Sequence, residues 1–135
     1  MTGNDDVVLK HLLAGLPTAA PDQEAVDILA HSAAGGEGGP DAGTGKDGVR
    51  IERIISYGHQ TPAEDWYDQD QHEWVMVVQG QARLEFAGGK VLMMTAGDHV
   101  LIPAHCRHRV AWTTPDQPTV WVAVFYDAAG GSAQP

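Results

Sequence analysis

Cysteine and basic residues are scarce in this sequence of 135 residues. There is one cysteine, Cys106, so no disulfide can form within the chain, and this usage fits a reducing cytosol. Eight lysines and arginines stand against 18 acidic residues, which gives a formal net charge of −10. Nucleic-acid binding requires basic residues that neutralise phosphates, so this composition argues against a nucleic-acid partner.

Long apolar runs are also missing. A membrane-spanning helix needs about 18 or more consecutive apolar residues, and the sequence has no such run. The first residues include Asp5 and Asp6 and lack the basic start of a secretory signal. We therefore expect a soluble cytoplasmic protein with no membrane partner. The length accommodates one domain with a core and is too short for two.

The N-terminal part, residues 1–32, predicts a helical segment. Apolar residues recur at helical spacing within residues 5–16 and stop at Gly15-Leu16-Pro17, and a second short helix is predicted after Pro21. Residues 33–48 are dense in glycine, which predicts a flexible loop because such a segment buries little apolar area. Small residues at 127–135 predict a disordered tail.

The remaining part, residues 49–126, reads as short β-strands. Glycine turn signals at Gly80, at Gly88-Gly89 and at Ala96-Gly97-Asp98 separate these strands, and we expect a hairpin at each turn. The last strand, Val120 to Tyr126, is apolar on both faces, so it needs a cover on each side. The N-terminal helices or a second subunit are the candidates for one of these covers.

Two spacings within this region resemble the motifs of the cupin superfamily. Glu73 is followed after six residues by Gly80, and Gly97 is followed after five residues by Pro103 and then by His108. The resemblance covers about residues 49 to 126 and is closest to small bacterial single-domain cupins of the cupin 2 conserved-barrel type. It implies an all-β fold, a double-stranded β-helix or jelly roll of antiparallel strands, here with one or two N-terminal helices.

The chain departs from the cupin motifs at four positions. Those that usually carry the two histidines of the first motif are Tyr67 and Gln69, and the glycine and asparagine of the second motif are replaced by His105 and Trp112. Two of the four usual metal ligands are therefore missing.

The resemblance implies a metal site in the barrel mouth. Its retained ligands are Glu73 and His108, and His105 or His59 is the candidate for a second imidazole, since imidazole and carboxylate suit a divalent iron, manganese, nickel or zinc ion. Tyr67 and Gln69 are candidate catalytic residues that contact substrate or water. The alternative is a closed hydrogen-bond network of the same residues without a metal.

Aromatic and basic residues near the motifs are the candidates for contacts with a ligand. Trp66 lies beside the first motif, and Trp112 alternates in phase with His108, so both are predicted to wall a substrate pocket. A substrate carboxylate could be held by one of three arginines: Arg53, Arg107 and Arg109.

Three functions remain open on the sequence alone. The first is a metal-dependent enzyme acting on a small organic molecule. The second is a non-catalytic domain that binds or senses a small molecule without a metal. The third, compatible with either, is an interaction module in which the last strand mediates a homodimer.

Overall fold

A computed structural model describes residues 4–32 and 48–128. It contains one 3-10 turn, Asn4–Asp6, followed by strands only. These are β1 (Ala25–Ser32), β2 (Val49–Ser56), β3 (Gln71–Gln79), β4 (Gln81–Phe86), β5 (Val91–Thr95), β6 (His99–Ile102), β7 (His108–Thr113) and β8 (Thr119–Asp127). The predicted all-β fold is confirmed.

The strands form two antiparallel sheets. The larger sheet has the order β1-β2-β8-β3-β6, and the smaller sheet has the order β5-β4-β7. Strands that follow each other in sequence mostly lie apart in the sheets, as expected for a jelly roll. β8 lies at the centre of the larger sheet and pairs with both β2 and β3.

The core lies between the two sheets. Along β3 buried and half-buried residues alternate, so Glu73, Val75 and Val77 point to the interior while Trp74 and Met76 point outward. The buried core residues come from both sheets and include Leu84, Met94, Ile102, Trp121, Ala123 and Phe125.

One of the three predicted hairpins is present. β4 and β5 pair across the Gly88-Gly89 turn. The turns at Gly80 and Gly97 are instead corners at which the chain passes from one sheet to the other. At Gly80 the φ angle is 91°, and a Cβ atom would lie 2.7 Å from the Thr119 Cα, so a side chain would collide with β8.

The predicted N-terminal helices are wrong. No helix is present within residues 7–24, and the second predicted helix is β1, which pairs with β2 from Ala25 to Ser32. Val26 and Ile28 alternate with Asp27 as in a strand, and the open edge of β2 supplies backbone partners that outweigh a weak helical pattern. The segment before β1 is held by Arg53, which donates hydrogen bonds to the Leu12 and Ala14 carbonyls.

Two predicted flexible segments fall mostly beyond the described residues. The predicted glycine-rich loop lies outside them except for Gly48, whose N–H donates to the Asp127 carboxylate. Of the predicted tail, Asp127 belongs to β8, and residues 129–135 lie outside the described part. Within residues 4–32 and 48–128, no helix is long and apolar enough to cross a membrane.

Candidate functional site

A cavity of about 200 Å³ lies between the sheets. Its wall is mostly apolar and includes three aromatic side chains: Tyr67, Trp121 and Phe125. Five polar side chains interrupt this wall: Glu24, Glu52, Gln69, Glu73 and His108. An apolar cavity with a few polar groups is the usual form of a small-molecule site.

Glu73 and His108 face each other across this cavity. Glu73 lies on the inner face of β3 and His108 begins β7 in the opposite sheet, and both are buried. The Glu73 Oε1 and His108 Nε2 atoms are 3.5 Å apart. The structure therefore brings together the two residues that match the cupin motifs.

The backbone fixes the protonation of the His108 ring. Its Nδ1 lies 2.9 Å from the Cys106 carbonyl oxygen, which can only accept, so Nδ1 carries a proton and Nε2 points at Glu73. Burial alone would lower the pKa of His108, but the hydrogen bond and the charge of Glu73, together with the Cys106 carbonyl, outweigh burial and raise this pKa above 6.5. The pair thus holds a proton readily when nothing else lies between the two groups.

Gln69 and Tyr67 complete this end of the cavity. The Gln69 side-chain nitrogen donates to Glu73 Oε1 over 3.2 Å. Tyr67 is bridged to His108 by two backbone hydrogen bonds, and the centroids of their rings are 5.4 Å apart. The segment that replaces the first cupin histidines therefore still delivers two polar side chains to the Glu73 and His108 pair.

His105 lies at the protein surface. Its side chain is 63% exposed, and its Nδ1 is 2.7 Å from the Asp68 carboxylate. The φ angle of 64° is unusual for a residue other than glycine, and it occurs in the turn before β7. The structure does not bring His105 into the cavity.

His59 uses both ring nitrogens for hydrogen bonds. Nδ1 accepts from the Tyr57 N–H over 2.8 Å, and Nε2 lies 2.9 Å from the Pro21 carbonyl oxygen. In this arrangement the first nitrogen accepts and the second donates, so both are occupied. Neither nitrogen is directed at Glu73.

The two predicted wall tryptophans lie away from the cavity wall. Trp112 is opposite Arg83 on the outer face, because the register between β4 and β7 shifts by one residue at Ala111. This extra residue breaks the alternation on which the prediction for Trp112 rested. The guanidinium carbons of Arg107 and Arg109 lie 5.8 and 6.0 Å from the centre of the Trp66 ring.

The predicted arginine anchors are occupied elsewhere. Arg53 binds Asp27 with two nitrogens, and Arg109 binds Glu85 at 2.7 Å. Arg107 lies over Trp66. None of the three lines the cavity.

Sequence reasoning missed a second polar group in the cavity, formed by Glu24, Ser56 and Trp121. The Trp121 Nε1–H donates to the Ser56 Oγ over 3.0 Å, and the Ser56 hydroxyl donates to the Glu24 carboxylate. Ser56 is fully buried. Glu24 precedes β1, outside the region that resembles a cupin, so the motifs carried no signal for it.

Glu52 is another missed residue of the wall. The strand β2 turns it inward together with Ile54, and the Arg50 guanidinium pairs with it at 2.6 Å. The same guanidinium lies 4.4 Å from the centre of the Phe125 ring. Glu52 is therefore a carboxylate that already has a cationic partner.

Glu73 and His108 supply two possible ligands for one metal ion, which is an incomplete ligand set. A separation of 3.5 Å suits two ligands that each lie about 2.0 to 2.2 Å from one ion, and a ring whose Nδ1–H binds a carbonyl is typical of metal-binding histidine. However, no group of three or more histidine, cysteine and acidic residues in the described ranges is arranged to hold a metal. Gln69 and Tyr67 are the neighbouring oxygen donors.

The sequence profile of the cupin domain matches residues 54–125. This range is more than half of the chain, so the chain belongs to the cupin family, and the resemblance predicted from the motifs is confirmed. No protein of curated function matches the sequence.

Solved structures add relatives of differing closeness. The chain is 44% identical to a provisionally assigned mannose-6-phosphate isomerase from Ralstonia eutropha JMP134, with a TM-score of 0.74, covering 90% of this chain and 100% of that one. A cupin 2 conserved barrel domain protein from Salinispora arenicola CNS-205 is 21% identical, with a TM-score of 0.58, covering 91% and 90% of the two chains. The DMSP lyase DddQ from Ruegeria pomeroyi DSS-3 is 19% identical, with a TM-score of 0.57, covering 82% of this chain and 50% of that one. The last two likenesses concern the fold alone.

Proposed function

We propose that this cupin binds a small organic molecule in its barrel cavity and acts on it at the Glu73 and His108 pair, which holds a divalent transition metal. The observation that carries the proposal is the convergence of these two buried side chains in an otherwise apolar cavity. Charged and titratable groups placed together in a cavity are costly to bury, and they are common at functional sites.

The contacts of each residue assign its role. The Cys106 carbonyl orients the His108 ring, and Gln69 orients the Glu73 carboxylate. When bound, the metal supplies a Lewis acid that polarises a ligand oxygen. Without the metal, Glu73 and His108 share a proton, so His108 can donate it and Glu73 can accept it in general acid-base chemistry.

The Ralstonia relative supports chemistry on a small molecule. It is provisionally assigned as an isomerase and is named for a reaction on a small organic molecule. Its identity of 44% extends over the whole of that chain.

A second candidate is a cupin that binds a small molecule without a metal. The surface position of His105 and the two hydrogen bonds of His59 favour this candidate, because they leave one imidazole beside Glu73. In that case the pair is a hydrogen-bonding group for the ligand.

Elemental analysis separates these two candidates. Protein purified without a histidine tag or chelator is equilibrated in turn with iron, manganese, nickel and zinc, beside the variants His108→Ala and His99→Ala. His99 is exposed on the outer face and is the matched control. We expect near-stoichiometric metal in the wild type and in His99→Ala and a loss of metal in His108→Ala. A wild type that stays free of metal would leave the metal-free candidate.

We also propose a homodimer through the outer face of the larger sheet. Val122 and Val124 of β8 lie there half-buried, next to Trp74, and Leu101 at the edge is 50% exposed. An apolar sheet face of this kind is well suited to a second copy of the chain.

Sedimentation should give a dimer, and Val124→Asp should give a monomer with the same circular dichroism. A wild type that sediments as a monomer at high concentration would contradict this proposal.

A further inference from the structure

The cavity continues outward into a second hollow, which we call the vestibule. It has a volume of about 530 Å³ and is lined by Gln23, Glu24, Val26, His59, Gln60, Thr61, Pro62, Asp65 and Tyr67. Glu24, Val26 and Tyr67 line both spaces, so they form the junction between them. A ligand that reaches the Glu73 and His108 pair from the vestibule passes the Glu24 carboxylate.

The carboxylates along this route differ in whether they have a cationic partner. Glu52 is paired with Arg50, and Glu73 faces His108. Glu24 differs because its partner within the described residues is the neutral Ser56 hydroxyl, and Asp65 in the vestibule wall likewise forms no ion pair with a described residue. A carboxylate has about four lone-pair positions, so this hydrogen bond leaves Glu24 able to accept others.

The Arg50 guanidinium beside the cavity wall is already paired with Glu52 and lies over the Phe125 ring. Among the described residues, no lysine or arginine lines the cavity or the vestibule. His59 lies in the vestibule wall, but both of its ring nitrogens are occupied by hydrogen bonds to Tyr57 and Pro21. Recognition of phosphate or carboxylate normally uses arginine or lysine, so a phosphorylated sugar lacks its usual partners here.

Aromatic rings accompany the unbalanced carboxylate. Trp121 lies beside Ser56, and Tyr67 stands at the junction itself. Phe125 is the third aromatic residue of the inner wall, and the Arg50 guanidinium already lies over its ring. The faces of such rings attract an organic cation, above all one with alkyl groups on its charged nitrogen.

We propose that Glu24 determines the charge specificity of this site and that its ligand is a small organic cation, a protonated amine or a quaternary ammonium. The inference rests on the proposed function for the location of the ligand. It does not depend on the metal, because among residues 4–32 and 48–128 the partner of Glu24 is the Ser56 hydroxyl and not a cation. It also distinguishes this chain from a protein that acts on mannose-6-phosphate, the substrate in the name of its 44% identical relative.

Calorimetry with matched probes tests this specificity. The probes are choline, its uncharged carbon isostere dimethylbutanol, and mannose-6-phosphate, each titrated into the intact chain at low salt. We expect choline to bind about tenfold more tightly than the isostere, since one charge-assisted contact and one ring contact favour it. Mannose-6-phosphate should bind more weakly than either.

Two variants assign the preference to Glu24. Glu24→Gln keeps a hydrogen-bonding group for Ser56 and removes the charge, so the preference for choline should fall to about twofold or less. Glu64→Gln makes the same change in net charge at an exposed position, and the wild-type preference should remain. An equal affinity for choline and its isostere, an unchanged preference in Glu24→Gln, tighter binding of the phosphate, or no saturable choline binding would each overturn the inference.

Measuring metal binding and the preference for choline in the wild type and in His108→Ala separates this inference from the proposed function. If the preference for choline depends on Glu24 while the protein binds no metal, the charge specificity stands and the metal-dependent function fails. If metal binds at His108 but choline is not preferred, the reverse holds.

Discussion

Glu73 and Glu24 are carboxylates on the wall of one cavity, and they differ in the group that holds them. Glu73 faces His108, and its hydrogen bond and charge help to raise the pKa of that histidine. The Glu24 carboxylate accepts a hydrogen bond from the Ser56 hydroxyl, which in turn accepts one from the Trp121 indole N–H. In the proposed function the first carboxylate takes part in the chemistry, and in the further inference the second selects the ligand.

The largest expected difference between the two carboxylates concerns metal affinity. Loss of an outer contact to a metal ligand costs up to about 100-fold in affinity, so the loss of a ligand in Glu73→Gln should cost at least that much. Glu24→Gln should leave the affinity within about twofold, because the Glu24 carboxylate is bonded to Ser56 and is not a ligand in this scheme. Competition with a fluorescent chelator measures both values, and equal losses in the two variants would remove the distinction.

The next effect concerns the stability of the Glu24 end. Trp121→Phe removes the donor to the buried Ser56 hydroxyl, so the free energy of unfolding should fall by about 1 to 2 kcal/mol or more. Trp74→Phe is the control, because the Trp74 Nε1–H donates to the exposed His99 and its loss should cost about 0.5 kcal/mol or less. Urea denaturation measures both changes.

A double-mutant cycle isolates the hydrogen bond from the lost ring volume. Trp121→Phe and Ser56→Ala should show a coupling of about 1 kcal/mol. Additive effects would mean that the indole acts by packing alone and that it does not orient Ser56 toward Glu24.

The smallest effect is the pH dependence of stability at the Glu73 end in chelator-treated protein. The pKa of His108 is raised above 6.5 by folding, so its contribution to stability is fully present below pH 6.5 and is lost as pH rises through the folded pKa. In Glu73→Gln burial should dominate, and this contribution should change sign. The difference in unfolding free energy between the variant and the wild type across this pH range measures the effect, and Glu24→Gln should follow the wild type.

The sequence predicts the barrel and the facing pair of Glu73 and His108, because both follow from regular spacings along the chain. Alternating apolar residues and glycines at turns fix where strands begin and end, and the motif spacing places Glu73 and His108 opposite each other. The corners at Gly80 and Gly97 could not be told from hairpins, because the local turn chemistry of the two is alike. Only the pairing of distant strands distinguishes them.

The missed parts of the site depend on contacts between distant segments. Ala25 to Ser32 becomes a strand because β2 offers an edge, and that pairing carries Glu24 to the cavity. His59 and His105 were plausible ligands by residue type, but their hydrogen bonds to Pro21 and Asp68 come from elsewhere in the chain. No spacing rule contains this information.

The extra residue at Ala111 in β7 changes which side chains of this strand face the interior. Before it, even-numbered positions such as His108 and Val110 line the cavity, and after it the odd-numbered Thr113 turns inward, opposite Ala82. Deleting this alanine would exchange the surfaces of Trp112 and Thr113 and bring an indole into the interior. The volume of the cavity therefore depends in part on Ala111, a residue that is not among those lining the cavity.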